Sequence, residues 1–252
     1  MLLLIDIGNS SMTLGAYEDD NVSKVTRADT IKKNRKLSEY SDVLEGFVGD
    51  NELYRPEGSV ICSVVPEENG LLSDAVKKSF GIDAFFIDNS VKTGLKFSVN
   101  KAESLGADRI ANAVAAWRLY DGHTVVVDFG TATTICLVTA EGQYRGGAIL
   151  PGVGLSALAL SEKTSKLPEV KLKAPEKILG NDTEGNIQTG IIIGHAGAVE
   201  RIVAEVRKEL GEEVSLITTG GHAGLIRPFM KFDHANPFLT LEGMGIIYEL
   251  NL

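Results

Sequence analysis

Two stretches of this chain echo one another. Leu3–Leu14 reads LLIDIGNSSMTL and Val125–Cys136 reads VVVDFGTATTIC. Each is an apolar run closed by an aspartate, then one apolar residue, a glycine, small hydroxyl or amide residues, and a second run. Asp6 and Asp128 stand 128 − 6 = 122 residues apart, close to half of the 252-residue chain. A duplicated unit explains this simply. Each copy is expected to set an Asp and a tight glycine turn at the mouth of a hairpin, where positive φ is tolerated and backbone can approach a ligand. One D-x-G is an ordinary hairpin turn. Two copies, each after an apolar strand, point instead to a paired grip on one polyphosphate.

The rest of the chain fits an α/β architecture. Turn-bounded apolar runs at 2–5, 59–65, 84–87, 124–127, 133–138 and 214–217 read as strands, and helical spacing recurs in Leu71–Phe80, Ile110–Trp117 and Val199–Leu210. Strands alternating with helices give that fold class. Length alone suggests about 1.7 domains. Glu18–Ser41 is polar and is expected to cover the outer edge of the first sheet, whereas Glu162–Lys177 reads as a helix end and surface loop.

Charge and composition exclude several functions. Thirty-four acidic residues against 25 basic ones leave a net charge of -9, without the clustered lysines and arginines that bind nucleic acid by counterion release. No run approaches the ~18 apolar residues of a membrane span, and Met1–Gly8 lacks a basic leader, so a soluble cytoplasmic protein is expected. Cys62 and Cys136 are single residues in apolar stretches, as reduced core thiols are. There is no P-loop, G-x-G-x-x-G or G-x-S-x-G motif. The histidines, at 123, 195, 222 and 234, are too scattered for a metal pattern, and His195 reads as lying near a helix start.

What remains is hydroxyl and amide donors plus carboxylates. Asn9, Ser10, Ser11 and Thr13 in the first turn, and Thr131, Thr133 and Thr134 in the second, can hydrogen-bond phosphate oxygens beside exposed backbone N–H groups. Asp6 and Asp128 make sense near ATP only with a hard cation interposed. Gly106-Ala107-Asp108-Arg109 opens a helix. Asp108 suits either an N-terminal aspartate complementing the helix dipole or the acceptor of a substrate hydroxyl proton, with Arg109 clamping an anionic group.

Taken together the motifs resemble the type III pantothenate kinases: DIGNS at 6–10, VKTGL at 91–95, GADRIANAVAA at 106–116, VVDFGTATT at 126–134 and GGAILPG at 146–152. Ser156, Ala159-Leu160, Leu167-Pro168, Gly180-Asn181-Asp182-Thr183, Thr219-Gly220-Gly221 and LTLEG at 239–243 complete the set, which spans nearly the whole chain. The resemblance implies two duplicated RNase H-like domains of the acetate kinase, Hsp70 and actin type, with ATP in the cleft between them. Their expected extents are 1–118 and 119–252, the last helix (about 240–252) packing back on the first. It further implies ATP-dependent phosphorylation of pantothenate, the first step of coenzyme A synthesis, by a homodimer. Asp6, Ile7, Gly8, Asn9, Ser10, Ser11, Met12 and Thr13 would form the first phosphate loop and Thr131 would contact ATP. Asp128 would bind K+ or NH4+, and Mg2+ would accompany ATP. Asp108 would be the proton acceptor, and Gly106, Ala107 and Arg109 the substrate-binding stretch. Thr183 would reach pantothenate from the partner subunit.

Two positions depart from the family. Ser10 replaces a threonine and keeps its hydroxyl. Val99 replaces a tyrosine beside pantothenate, removing a phenolic hydrogen bond whose loss would weaken substrate affinity by roughly 0.5–1.5 kcal/mol. Two alternatives stand beside this reading: a kinase for another small hydroxy acid on the same scaffold, and a catalytically silent nucleotide-binding regulator.

Overall fold

The computed structural model describes residues 1–29, 36–49 and 55–252. Contacts divide the chain into two compact units, Met1–Arg118 with Phe238–Leu252, and Leu119–Pro237.

The first unit is built on β1 (Leu2–Ile7), β2 (Ser11–Glu18), β3 (Asn21–Asp29), β4 (Gly58–Ser63) and β5 (Ala84–Phe86), in the sheet order β3-β2-β1-β4-β5. Its helices are α1 (Leu37–Val48), α2 (Asn69–Phe80), α3 (Ala107–Leu119, whose last residue opens the second unit) and α7 (Leu239–Leu250), and a short β6 (Lys96–Phe97) precedes α3. Apart from Asp6, β1 is apolar because both its faces are covered. Leu3, Ile5 and Ile7 pack with Leu44 and Phe47 of α1 and Leu72 and Val76 of α2. Leu2 and Leu4, on the other face, pack with Ile110 and Val114 of α3 and Leu241, Met244 and Ile247 of α7. Asp6 continues the Leu2–Leu4 face by period two.

The polar 18–41 stretch differs from its expected role as a mere cover. Asn21–Asp29 is itself the edge strand of the sheet, paired antiparallel with β2, and α1 begins at Leu37; residues 30–35 lie outside the described part.

The second unit contains β7 (His123–Phe129), β8 (Ala132–Val138), β9 (Gln143–Pro151), α4 (Val153–Lys163), α5 (Thr183–Leu210), β10 (Val214–Thr219), α6 (Ala223–Ile226) and β11 (His234–Ala235). Its strands run in the order β11-β10-β7-β8-β9. Val125, Val127 and Phe129 of β7 pack against Ile191, Ile192, Val199 and Val203 of α5. His195 therefore lies in the middle of a 28-residue helix, not near its start. Helix α4 ends at Lys163, and 164–182 has no regular structure.

The sequence echo becomes a structural one with a one-residue offset. Asp6 pairs with Thr13 and Ile7 with Met12 across β1 and β2. In the second unit Asp128 pairs with Thr134 and Phe129 with Thr133. Four residues (8–11) lie between the last paired residues Ile7 and Met12, and three (130–132) between Phe129 and Thr133. An aspartate therefore faces a threonine at each strand end, although an ungapped alignment sets Thr13 against Ile135.

Candidate active site

In the first unit the turn closes through a hydrogen bond from the Gly8 N–H to the Ser11 carbonyl, 2.9 Å. Neither Gly8 nor Gly130 has positive φ, so neither turn uses the positive-φ freedom that glycine offers. What glycine leaves at 8 is bare backbone. A methyl group there would meet only the Ser11 carbonyl, at 3.4 Å. Ile7 and Met12 are fully buried, so these two can face a ligand only through their main chain, whereas Asn9 and Ser10 are exposed.

Helix α3 delivers its N-terminus to the same end of the sheet. The Val64 N–H donates to the Ile7 carbonyl at 3.1 Å, tying the end of β4 to β1, and Val64 lies beside Gly106. Gly106 accepts the first helical hydrogen bonds from the N–H groups of Arg109 and Ile110, both 3.1 Å. The Asp108 carboxylate curls back over that turn and accepts a 2.7 Å hydrogen bond from the Arg109 N–H. A side chain at Gly106 would collide with it, the added carbon falling 2.5 Å from Asp108 Oδ1. Burial pushes the Asp108 carboxyl above the usual carboxylate range, only partly opposed by that hydrogen bond and by the Arg109 charge. Asp108 is thus both helix-terminal and half-buried, and desolvation dominates its ionisation. Val99 lies half-buried in a bend between β6 and α3.

In the second unit the Asp128 carboxylate sits in a cradle of backbone. A carbon added to Gly220, at φ 93°, would fall 2.4 Å from Asp128 Oδ1 and 2.5 Å from the Phe129 nitrogen, so only glycine fits. The turn carrying Thr131 is braced by Gly152, between β9 and α4: its N–H donates to the Thr131 carbonyl at 3.0 Å, and a side chain at 152 would strike the Gly130 and Thr131 carbonyls. These glycines explain why GGAILPG and TGG accompany the Asp128 turn.

Thr183 lies elsewhere in this unit. It opens α5, where the Asp182 carboxylate caps the helix by accepting from the Gly185 N–H at 2.7 Å. Thr183 also lines an apolar groove of about 610 Å³ with Ser156, Leu160, Leu167, Ile187 and Ile191.

No cluster of three His, Cys, Asp or Glu side chains is placed to hold a metal ion among the described residues. A magnesium ion that arrives with a nucleotide needs no such cage, since it takes one or two carboxylates and fills its sphere with phosphate and water oxygens. At Asp128 the donor is a hard carboxylate oxygen held against the Gly220 backbone, the ligand type that hard cations take. No helix is long and apolar enough to cross a membrane, again among the described residues.

Two features of the site carried no readable motif: the hydrogen bond of His195 to Thr133 just after the second turn, and Arg27, which reaches the first turn from β3. Each depends on which strand lies beside which.

Two α/β units, each with an Asp-tipped strand and a glycine turn, define the duplicated fold of actin, Hsp70 and the sugar and acetate kinases. Solved structures of that class share it. One is from Campylobacter jejuni, described as a conserved Baf family transcriptional activator, with TM-score 0.63, 20% identity and 99% and 98% of the two chains covered. Another is the activator of 2-hydroxyisocaproyl-CoA dehydratase from Clostridium difficile with bound ADPNP, with TM-score 0.57, 11% identity and 99% and 95% covered. Within that class, the family model for type III pantothenate kinase matches residues 2–205. A type III pantothenate kinase from Roseiflexus castenholzii is 40% identical over 254 residues, covering 100% of this chain and 99% of the relative. The chain belongs to the type III pantothenate kinase family.

Proposed function

We propose that this chain transfers the γ-phosphoryl group of ATP to the primary hydroxyl of pantothenate, giving 4'-phosphopantothenate for coenzyme A synthesis. One observation carries the assignment of the chemistry: a half-buried carboxylate, Asp108, held with Arg109 at a helix start next to a phosphate-type turn. The substrate O–H donates to the Asp108 carboxylate, its oxygen bonds to the γ-phosphorus, and the bond from that phosphorus to the bridging oxygen breaks as ADP leaves. In a loose transition state the proton moves late, so the base mainly orients the hydroxyl. A raised carboxyl pKa moves Asp108 toward the operating pH, which favours proton uptake. Arg109 clamps the pantothenate carboxylate, as a guanidinium does in two parallel hydrogen bonds.

In this reading Asp6 through Thr13 form one phosphate loop and Thr131 belongs to the other, with Asp128 holding K+ or NH4+. Mg2+ and that monovalent ion, when bound, neutralise charge on the phosphates. The groove beside Thr183 is read as the face that a second copy completes, so that Thr183 serves the partner's pantothenate. Both reactants are small and soluble, which suits a cytoplasmic enzyme, and the homodimer follows from the family resemblance. A coupled ADP assay with Mg2+ and either ammonium or potassium tests the reading: ADP should form only when pantothenate is added. Equal ADP formation without it would overturn the assigned acceptor.

A further inference from the structure

Arg27 lies on the edge strand β3, opposite Thr13 of β2, which in turn lies opposite Asp6 of β1. Cross-strand partners share a face, so Arg27, Thr13 and Asp6 form one row at the end of the sheet where the first turn begins. Two inter-strand spacings, roughly 10 Å, separate the outer members. The Arg27 side chain is exposed, yet its guanidinium is directed: one N–H donates to the Ser11 hydroxyl oxygen at 2.7 Å. Ser11 is the last residue of the Gly8–Ser11 turn, whose backbone is closed by the Gly8 N–H.

This contact has a chemical direction. A guanidinium carries five N–H donors and no acceptor. Receiving one of them, the Ser11 oxygen must send its own proton elsewhere, and the charge makes that O–H a stronger donor. The arrangement therefore aims a polarised hydroxyl and a cation at whatever the turn binds. A turn flanked by the Asp6 carboxylate otherwise repels a polyphosphate, and the chain, at net charge -9, supplies little long-range attraction.

We propose that Arg27 is a nucleotide-binding residue: its guanidinium holds the β- and γ-phosphate oxygens of ATP at the first turn, acting with Ser11. This rests on the kinase reading above for its ligand, though not for the acceptor. Lys24, on the same strand, is a fitting control, because its ammonium is engaged elsewhere, on the Phe47 carbonyl.

The test is direct nucleotide binding by calorimetry to the full-length protein with Mg2+ and no pantothenate, comparing ATP, ADP and AMP. Arg27→Ala should weaken ATP by about 10- to 100-fold, ADP by less and AMP hardly at all. The salt dependence of ATP affinity should flatten, Arg27→Lys should recover part of the loss, and Lys24→Ala should bind like the unaltered chain. Unchanged ATP affinity in Arg27→Ala overturns the proposal, and so does an equal loss for AMP and ATP accompanied by a lower Tm, since that would make Arg27 a strut of the turn. Because pantothenate is absent, a failure of the acceptor assignment leaves this result interpretable: wild-type protein that binds ATP through Arg27 but never phosphorylates pantothenate sinks the former and not the latter.

Discussion

His195 and Thr133 form a buried hydrogen bond, with Nε2 of the imidazole 2.8 Å from the threonine Oγ1. Thr133 is the first residue of β8 to pair with β7, opposite Phe129, and the His195 ring also stands tilted over Phe129 with centroids 6.1 Å apart. Helix α5 thus fastens the strand that leaves the second turn, at its first residue paired with β7.

His195→Ala is expected to lose about 2–4 kcal/mol, since it leaves a buried hydroxyl unsatisfied and opens a cavity. The double variant His195→Ala, Thr133→Val should recover part of that loss, because no polar partner is then stranded. Chemical denaturation of the four proteins in a double-mutant cycle measures this. Additive losses would mean that the two residues do not interact.

The same imidazole sets an acid limit. Burial, with the neighbouring His222 charge, lowers its pKa below the ordinary histidine value, so the unfolded chain binds the proton more readily than the folded one. Stability therefore rises with pH through the window between the lowered value and about 6.5 and is lost as pH falls through it. His195→Gln should flatten that acid branch in a Tm-against-pH series. An unchanged slope would assign the acid sensitivity to other groups.

Asp108 has the opposite sign. Its carboxyl is raised in the folded state, so folding takes up a proton, and stability falls as pH rises from the ordinary value near 4 through the raised one. At neutral pH this half-buried charge works against the fold. Asp108→Asn should therefore raise Tm at pH 7, with the gain vanishing near pH 3–4, while turnover drops by roughly 10²- to 10⁴-fold. Near-normal turnover, or a lower Tm, would contradict both the role and its physical cause.

Gly220→Ala probes the cradle of Asp128. The added carbon meets a carboxylate oxygen at 2.4 Å in a backbone conformation of positive φ, which costs about 1–3 kcal/mol in strain alone. Tm should fall by roughly 3–10 °C, and activation by ammonium or potassium at fixed ionic strength should need more salt or disappear. A normal salt response would separate Asp128 from the monovalent ion.

At position 99 the family's missing hydroxyl can be restored. Val99→Tyr should lower the pantothenate KM by roughly 2- to 10-fold, the worth of one neutral hydrogen bond, with ATP KM unchanged. No change in steady-state kinetics would mean that this bend does not reach the substrate.

Much of this molecule was legible because its strands and helices are strongly periodic. The Asp6 and Asp128 turns, the apolar β1 and β7 and the helix opened by Asp108 all follow from local pattern. What escaped depends on neighbours. β3 carries Lys24 and Arg27 on a half-solvated edge, so its charges hide its pairing with β2. His195 is flanked by Gly194 and Gly197, which suggest a helix boundary, yet the burial of Ile191, Ile192 and Val199 carries α5 straight through. The last helix owes its fit to Gly243, where a side chain would overlap the Ala111 carbonyl, a contact between residues 132 positions apart that no local pattern announces.

The most direct test follows the phosphorus. Purified protein incubated with ATP, Mg2+, ammonium and pantothenate should, by 31P NMR, convert the γ-phosphate signal into a phosphomonoester coupled to a methylene group, and the Asp108→Asn protein should not. Inorganic phosphate as the sole product, or an Asp108→Asn protein as fast as the wild type, would contradict the account.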